Sequence, residues 1–205
     1  MTLKTLYVGA ALIFGLALNL AAEAKNYVEG QDYVKVGGIT ETKTPVLREF
    51  FSYNCPHCYH KDPQIAATVA LLSKDIDFVR TPIGAGRPAW ILSQQAYYVA
   101  QKLKLTEQVH AKIFNQIHEL GNAFTRPEQL KAFFVAQGVS PGVFDATFNS
   151  VDNQFTLSNY DFQAQLAEIK AVPSLLVNGH YLLNPSSFSP SELAELVRYV
   201  AALAD

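Results

Sequence analysis

Two cysteines, Cys55 and Cys58, are the only ones in the 205 residues, and they enclose Pro56 and His57 directly after an apolar segment. A disulfide across so short a loop adds little stability, because the chain entropy that a disulfide removes grows with loop length. The spacing instead favours thiol–disulfide exchange, in which one thiolate attacks and its neighbour resolves the mixed disulfide. A C-x-x-C pair between a strand and a helix is typical of the first turn of a βαβ unit.

The flanking segments support that unit. Residues 45–51 form an apolar run with two charges and predict a buried strand. Pro56 suits the first position of a helix, which we expect to continue to residue 72 with a kink at Pro63. Residues 76–81 alternate and predict a second strand. The sequence therefore predicts strand, helix and strand, with the two thiols at the first turn.

The remainder of the chain changes character twice. Residues 88–170 are helical in pattern, including a helix expected after a capping box at residues 125–128. Residues 174–183 predict two strands joined by a turn at Asn178 and Gly179. A second capping box at residues 189–192 precedes a closing amphipathic helix. We therefore predict a small α/β sheet domain that is interrupted by a helical insertion.

Residues 1–24 predict a cleavable signal peptide. Lys4 precedes an apolar run over residues 6–20, and Ala22 and Ala24 stand at the −3 and −1 positions of a cleavage site. A membrane anchor is the alternative, but the run is shorter than the roughly 20 apolar residues that span a bilayer. Export would place the thiols where disulfides form. The net charge of −2 argues against nucleic acid or anionic membrane as the main partner.

Several segments together resemble the DsbA family of periplasmic thiol:disulfide oxidoreductases. Residues 50–59, which contain the two cysteines, resemble its active-site segment. Val172 and Pro173, followed by residues 176–179, resemble its cis-proline loop and hairpin, and residues 27–30 and 181–185 extend the likeness. The resemblance implies an α/β, thioredoxin-like fold with an inserted helical domain. Its boundaries would be 25–87 and 171–205 for the discontinuous thioredoxin-like domain and 88–170 for the insertion.

The resemblance also implies a function. The protein would donate disulfides to reduced exported proteins in the periplasm and would be reoxidised by a quinone-linked, DsbB-like partner in the inner membrane. It would need no cofactor besides the Cys55–Cys58 disulfide, and we expect a monomer. Asn54 stands where some members have an aromatic residue, and Pro63 lies in a helix that can be proline-free. Both departures are expected to alter the groove beside Cys55.

The residues of the motif have distinct expected roles. Cys55 is the candidate nucleophile, because the start of a helix favours a thiolate, and Cys58 is the less exposed, resolving thiol. Pro56 stiffens the turn, and His57 would stabilise the thiolate further. Each unit by which the nucleophile's pKa falls below ambient pH stabilises the dithiol by about 1.4 kcal/mol, or roughly 30 mV. A pKa about three units below pH 7 would shift the potential by roughly 90 mV towards an oxidant.

Three further residues are candidates around the thiols. We expect a cis peptide bond at Pro173, with Val172 offering a backbone edge to an extended substrate. Glu49 is a charge in an apolar strand, where a buried carboxyl has a raised pKa, so it could accept the proton of Cys58. The alternative for Glu49 is a solvent-facing strand edge. We expect Asp62 to be a solvated helical acid, although it could take part in the same proton transfer from Cys58.

The other chemistry-bearing side chains have no motif around them. We expect His60 at the surface, one turn from His57, and assign no role to three further histidines, His110, His118 and His180. Aromatic residues of the helical segment are expected to form its core or the wall of a groove: Trp90, Tyr97 and Tyr98.

The alternatives to a dithiol oxidase are a disulfide isomerase or reductase, a metal site and a peptide-binding module. A disulfide isomerase or reductase is disfavoured, because an isomerase of this class needs a dimerisation domain and few residues precede the first strand. A metal site is not predicted, since zinc requires about four ligands and the cysteines have only His57 and His60 beside them. A peptide-binding module without redox turnover would keep its biological activity in a Cys55→Ser variant, whereas an oxidase would lose it.

Overall fold

The computed structural model of the protein describes residues 25–41, 45–72, 74–184 and 188–203. The predicted signal peptide, 1–24, and Pro185 lie outside the described residues. The elements in chain order are β1 (Tyr33–Lys35), β2 (Val46–Phe51), α1 (Pro56–Leu71), β3 (Asp77–Pro82), α2 (Pro88–Lys102), α3 (Thr106–His118), α4 (Pro127–Ala136), α5 (Pro141–Phe148), α6 (Val151–Leu166), β4 (Ser174–Val177), β5 (Tyr181–Leu183) and α7 (Pro190–Ala201).

The five strands form one mixed sheet in the order β1-β5-β4-β2-β3. Strands β2 and β3 are parallel and joined through α1, which is the predicted βαβ unit, and the other neighbouring pairs are antiparallel. All six residues of β2 are buried because the strand lies between β3 and β4. Strand β1 was not predicted, since three residues are too few to show an alternating pattern.

Helix α1 begins where the sequence predicts. Cys55 is its N-cap residue and Pro56 its first helical residue, where the missing N–H of proline costs no hydrogen bond. The helix continues through Pro63 to Leu71 as one element. The two cysteines therefore lie at the N-cap and in the first turn of a helix that leaves the end of the central strand.

Five helices, α2 to α6, lie between β3 and β4, in the segment predicted to be helical. The predicted capping box at 125–128 is wrong by one residue. Pro127 occupies the first helical position and so fixes Arg126 as the N-cap. The side chain of Gln129, not of Glu128, then accepts hydrogen bonds from the backbone N–H groups of Thr125 and Arg126, at 2.8 and 3.2 Å.

The described core has three parts. One part, here called the thiol-side core, packs Phe51, Tyr53, Cys55 and Cys58 against buried side chains of α2 to α6. A second part fills the space between α1, α7 and one face of the sheet, and a third lies between the opposite face and α6. Since successive strand residues face opposite sides of a sheet, Leu47, Glu49 and Phe51 share the α1 face, whereas Arg48 and Phe50 face α6.

The β4–β5 turn follows the prediction of a hairpin at Asn178 and Gly179. Both residues have positive φ, 51° and 76°. A Cβ atom on Gly179 would lie 2.0 Å from the carbonyl oxygen of Ile39, so only glycine fits there. Among the described residues, no helix has the length and apolar character needed to cross a bilayer.

Candidate active site

The two thiols lie at the junction of the sheet and the helical segment. Cys55 is 6% exposed and Cys58 is fully buried, and both are free thiols. The N–H of Cys55 donates to the carbonyl of Ser52 at 3.0 Å, which fixes the turn between β2 and α1. Only Cys55 therefore offers a sulfur to an incoming partner, in agreement with its predicted place as the outer thiol.

The surroundings of the two sulfurs separate their pKa values. The pKa of Cys55 is lowered to about 6, chiefly by a hydrogen bond from the Cys58 thiol and then by backbone N–H groups of Cys58 and His57 and the charge of His57, against the effect of burial. The pKa of Cys58 is raised, first by that same hydrogen bond, which holds its proton, and then by burial. Near neutral pH the pair is therefore a Cys55 thiolate with a Cys58 thiol.

The loop before β4 lies directly against Cys55. The Cys55 sulfur is 3.4 Å from the carbonyl oxygen of Val172, and the Val172–Pro173 peptide bond is cis, as predicted. A groove of about 210 Å³ adjoins this contact, and exposed His57 lines it together with Pro173. Its floor is apolar and its rim polar, with Ile65, Leu175 and Leu193 below and Lys61 at the edge.

Glu49 lies beneath the thiols, and the alternative of a solvent-facing edge position is wrong. It is 1% exposed on the central strand, and its Oε2 accepts a hydrogen bond from Arg80 Nε at 3.0 Å. Burial raises the pKa of Glu49 to about 7; Arg80 opposes this shift, and the charge of Asp62 adds to it. The negative charge of Glu49 in turn raises the pKa of Cys58, so the two groups interact.

Asp62 is not the solvated helical acid that the sequence predicted. Its side chain is 17% exposed, and Oδ1 accepts hydrogen bonds from Arg80 Nη2 at 3.3 Å and from His110 Nε2 at 2.9 Å. The expectation failed because α3 packs over this turn of α1. Burial alone would raise the pKa of Asp62, but the hydrogen bond from His110, the charge that His110 carries at acidic pH and the charge of Arg80 together outweigh burial and lower the pKa.

His110 belongs to the site although no motif marked it. It is 7% exposed, and its Nδ1 lies 2.8 Å from the hydroxyl of Tyr53. Burial lowers its pKa, so the ring is neutral near pH 7, with Nε2–H donating to Asp62 and Nδ1 accepting from Tyr53. A signal for it was available, because Ile113 and Ile117 follow His110 by three and seven residues, a spacing that places all three side chains on the same face of α3.

The other histidines divide between surface and contact positions. His60 is exposed, as predicted. His118, to which no role was assigned, hydrogen-bonds through Nε2 to the carbonyl oxygen of Tyr53 at 2.8 Å and stacks on Tyr59 with ring centroids 4.8 Å apart. Among the described residues, no three His, Cys, Asp or Glu side chains are grouped as a metal ion would require.

The aromatic residues predicted for the helical segment lie in or against the thiol-side core. Tyr97 and Tyr98 are buried, and Trp90 packs partly buried against the same cluster. Tyr97 also contacts Phe51 edge to face, with ring centroids 5.6 Å apart. The helical segment thus supplies one wall around the active-site strand.

A C-x-x-C pair at the start of a helix, with its outer sulfur against a cis-proline loop, defines the class of the protein as a thiol:disulfide oxidoreductase. A sequence model of the DSBA-like thioredoxin domain matches residues 75–198. Thiol:disulfide interchange proteins DsbA of Pseudomonas syringae pv. tomato and Burkholderia cepacia are each 31% identical, covering 87% and 90% of this chain and 85% and 89% of their own lengths.

Solved structures agree. The crystal structure of Pseudomonas aeruginosa DsbA superposes with a TM-score of 0.77 at 27% identity, covering 85% of this chain and 93% of that one. DsbA from Xylella fastidiosa gives a TM-score of 0.76 at 28% identity, with coverage of 86% and 96%. The chain belongs to the DsbA family and has its thioredoxin-like fold.

Proposed function

We propose that this thiol:disulfide oxidoreductase is an oxidase of the periplasm that transfers the Cys55–Cys58 disulfide to reduced exported proteins. The observation that carries the proposal is the asymmetry of the two sulfurs, with Cys55 at the helix start as a thiolate and Cys58 buried as a thiol. The periplasm is proposed from the signal peptide that residues 1–24 predict and from the family resemblance.

The direction of transfer follows from the thiolate. A reduced protein whose nucleophile ionises below ambient pH is stabilised, so its disulfide form is comparatively unstable and tends to be passed on. The pKa of about 6 at Cys55 lies one unit below pH 7. It supports a stabilisation of up to about 1.4 kcal/mol, or roughly 30 mV, at pH 7, which is smaller than the three-unit case considered from the sequence.

Disulfide transfer proceeds in two exchanges. A substrate thiolate attacks the Cys55 sulfur, the Cys55–Cys58 bond breaks, and the electron pair leaves on Cys58. A second substrate thiolate then attacks the substrate sulfur of the mixed disulfide and expels the Cys55 thiolate. The substrate has lost two electrons and gained a disulfide, and the protein holds the corresponding dithiol. Exposure restricts the first attack to Cys55, since the Cys58 sulfur is fully buried.

Glu49 exchanges a proton with Cys58 in this scheme. Cys58 leaves as a thiolate and takes up a proton, and in the reverse direction it must lose that proton before it attacks. A group that exchanges protons efficiently has a pKa near the working pH, and burial gives Glu49 a pKa of about 7. The carboxyl therefore suits donation to Cys58 in one direction and acceptance from it in the other.

Val172 and Pro173 form the proposed substrate contact. The carbonyl oxygen of Val172 already lies 3.4 Å from the Cys55 sulfur, the atom that the substrate attacks. An extended substrate could pair with this backbone edge while its side chains enter the apolar groove beside His57. Pro56 lacks an N–H and stiffens the turn that aims Cys55, and His57 adds positive charge near its thiolate.

The remaining parts of the proposal concern partners and organisation. We expect reoxidation by a quinone-linked, DsbB-like membrane protein, which would present its own disulfide to the Cys55 thiolate. We expect a monomer without nucleic acid, metal or cofactor. The discontinuous domain 25–87 and 171–205 would carry the thiols, and the insertion 88–170 would cover them.

The test is the redox equilibrium of the Cys55–Cys58 pair in glutathione buffers at pH 7, followed by trapping and mass measurement of the thiols. We expect a potential above that of the glutathione couple. A potential at or below that of glutathione would exclude a disulfide donor. In cells that lack their own oxidase, a Cys55→Ser variant is expected to restore no disulfide formation, whereas a His60→Ser variant, altered at an exposed residue, should behave as the unmodified protein.

A further inference from the structure

The buried groups under the thiols contain one cation and two acids. Arg80 donates through Nε to Glu49 and through Nη2 to Asp62, at 3.0 and 3.3 Å. If both carboxyls were ionised, the cluster would carry one uncompensated negative charge away from water, and such a charge is costly. One of the two acids therefore keeps a proton near neutral pH, and the hydrogen bonds decide which one.

The two carboxyls are not equally supported. Asp62 Oδ1 accepts from two donors, Arg80 and, at 2.9 Å, His110 Nε2, and its side chain is 17% exposed. Glu49 accepts from Arg80 in the described structure and is 1% exposed. Since donors and water both favour the ionised form, the arrangement keeps Asp62 charged and leaves the proton on Glu49.

The contact of Nδ1 with Tyr53 determines which nitrogen of the His110 ring carries the proton. The Tyr53 hydroxyl lies 2.8 Å from Nδ1, so a neutral ring that accepts there must carry its proton on Nε2, facing Asp62. Phe51, Tyr53 and Phe114 surround the ring with centroids 5.1 to 5.7 Å away and hold its orientation. Helix α3 thereby contributes a donor to a site whose other members come from β2, α1 and β3.

We propose that His110 is a positioning residue of the oxidoreductase. By donating a hydrogen bond to Asp62, His110 keeps the exchangeable proton on Glu49, the carboxyl that exchanges protons with Cys58. This inference rests on the proposed proton exchange between Glu49 and Cys58. The charge of Glu49 is among the influences that raise the pKa of Cys58. A proton held by Asp62 instead would leave Glu49 a permanently charged neighbour and a weaker base.

Other ionisable groups near the two carboxyls do not alter the choice. His110 faces Tyr53, Asp62 and Arg80 from neighbouring elements and Glu107 from its own helix. Glu49 faces Arg80, Asp62, Cys58, Tyr53 and Tyr97. Burial raises the pKa values of both tyrosines, so both stay neutral near pH 7. Arg48, which also acts on Tyr97, leaves β2 on the opposite face of the sheet.

The experiment follows the carboxyl carbons of Glu49 and Asp62 by ¹³C NMR against pH, in the oxidised protein, where no thiol titrates. In the unmodified protein we expect Glu49 to titrate near neutrality and Asp62 below its ordinary range. His110→Leu removes the donor and fills the same apolar surroundings. It should raise the midpoint of Asp62 by at least about one unit and lower that of Glu49.

Two variants separate positioning from packing. His110→Gln keeps a donor and an acceptor, and it should restore both midpoints towards those of the unmodified protein. His118→Leu removes another α3 histidine, one that hydrogen-bonds to the Tyr53 carbonyl, and should leave both midpoints unchanged. Unchanged midpoints in His110→Leu, or an equal shift in His118→Leu, would overturn the proposal.

A measurement on the unmodified protein covers the case in which His110→Leu does not fold. The ¹⁵N shifts of the His110 ring should report a proton on Nε2 and none on Nδ1 at pH 7. A proton on Nδ1, or on both nitrogens, would overturn the proposal. These titrations do not depend on the redox potential, so a failed glutathione test would refute the oxidase and leave the position of the proton decided separately.

Discussion

Two buried ionic clusters lie back to back on the same pair of strands, and they differ in charge balance. Arg48 and Glu49 are neighbours on β2, so their side chains leave opposite faces of the sheet. On the α6 face, Arg48 donates to both carboxylate oxygens of Glu41, at 2.7 and 2.8 Å, and to Thr81 at 2.6 Å. On the α1 face, Arg80 is shared between Glu49 and Asp62.

The difference explains why one cluster holds the fold and the other can move a proton. A two-pronged arginine–carboxylate pair is closed, because each charge has its counter-charge and good geometry. The Glu49 cluster has one acid more than it has cations, and His110 stays neutral because burial lowers its pKa. An imbalance of this kind stores a proton at a pH close to neutral, which is the requirement for exchange with a thiol.

The largest effect is expected from breaking the balanced pair. Arg48→Met leaves the Glu41 carboxylate, 8% exposed as a side chain, without its partner. Removing one member of a buried pair costs about 3–5 kcal/mol, which urea unfolding at pH 7 would measure. The redox equilibrium of the folded variant should be unchanged.

A surface pair provides the control for that loss. Lys131 and Asp145 form an ion pair whose side chains are 34% and 49% exposed. Lys131→Met should therefore cost less than about 1 kcal/mol. Equal losses in Arg48→Met and Lys131→Met would mean that the Arg48 cluster is not a structural pair of the kind described.

The unbalanced cluster should show itself in how stability depends on pH. The pKa of Glu49 is raised from 4.5 to about 7 in the folded protein. The folded state therefore binds the proton more tightly, and the stability that this provides is complete below pH 4.5 and is lost as pH rises to about 7. The shift corresponds to about 3 kcal/mol, which Glu49→Gln should remove from the pH dependence of urea unfolding of the oxidised protein.

An exposed acid makes the matched control for Glu49. Glu128→Gln, on the surface of α4, should leave the pH dependence as it is in the unmodified protein. His110 also makes stability depend on pH, but with the opposite sign: because its pKa is lowered, it destabilises the folded protein as pH falls below about 6.5. His110 is present both in the unmodified protein and in Glu49→Gln. A Glu49→Gln curve that runs parallel to that of the unmodified protein would show that Glu49 does not carry the proton.

A smaller change is expected when the imbalance itself is corrected. Asp62→Asn removes one acid but keeps an oxygen for His110, so Arg80 then serves Glu49 alone. Since the charge of Asp62 is among the causes that raise the pKa of Glu49, the midpoint of Glu49 should fall by about one unit. The same unfolding curves would show this as a displaced pH window, and an unmoved window would refute the shared-arginine account.

The smallest effect is expected at the surface of the site. The charge of His57 is the last of the influences that lower the pKa of Cys55. His57→Ser should raise that pKa by less than one unit, measured from the thiolate absorbance near 240 nm. It should not change the pH range over which Glu49 loses its proton. His60→Ser is the control, and a shift as large as that of His57→Ser would point to a general surface charge effect.

Local sequence signals predicted the parts of the site that are adjacent in the chain. The cysteine spacing, the proline at the helix start and the acid within an apolar strand each lie beside the feature that they serve. Asp62 and His110 are 48 positions apart, and their hydrogen bond exists only because α3 packs on α1. A helical aspartate taken alone is most often solvated, so the misassignment arose from a tertiary contact that no local pattern contains.

Similar limits explain the small errors in the fold. The long strand and helix patterns were placed within a few residues, because hydrophobic periodicity is strongest there. Strand β1 is too short to alternate recognisably. At α4, Pro127 occupies the first helical position and thereby moves the N-cap from the predicted Thr125 to Arg126. The division into domains at 25–87, 88–170 and 171–205 stays a prediction.

Deleting residues 88–170 would expose the thiol-side core. Phe51, Tyr53 and Cys58 are fully buried, and their cover comes from α2 to α6. A minimal scaffold that kept only the sheet, α1 and α7 would place those aromatic rings and the inner sulfur at its surface. The helices are thus as much a part of the active site as the cysteines. A shortened protein would need a redesigned interior before it could work as a redox protein.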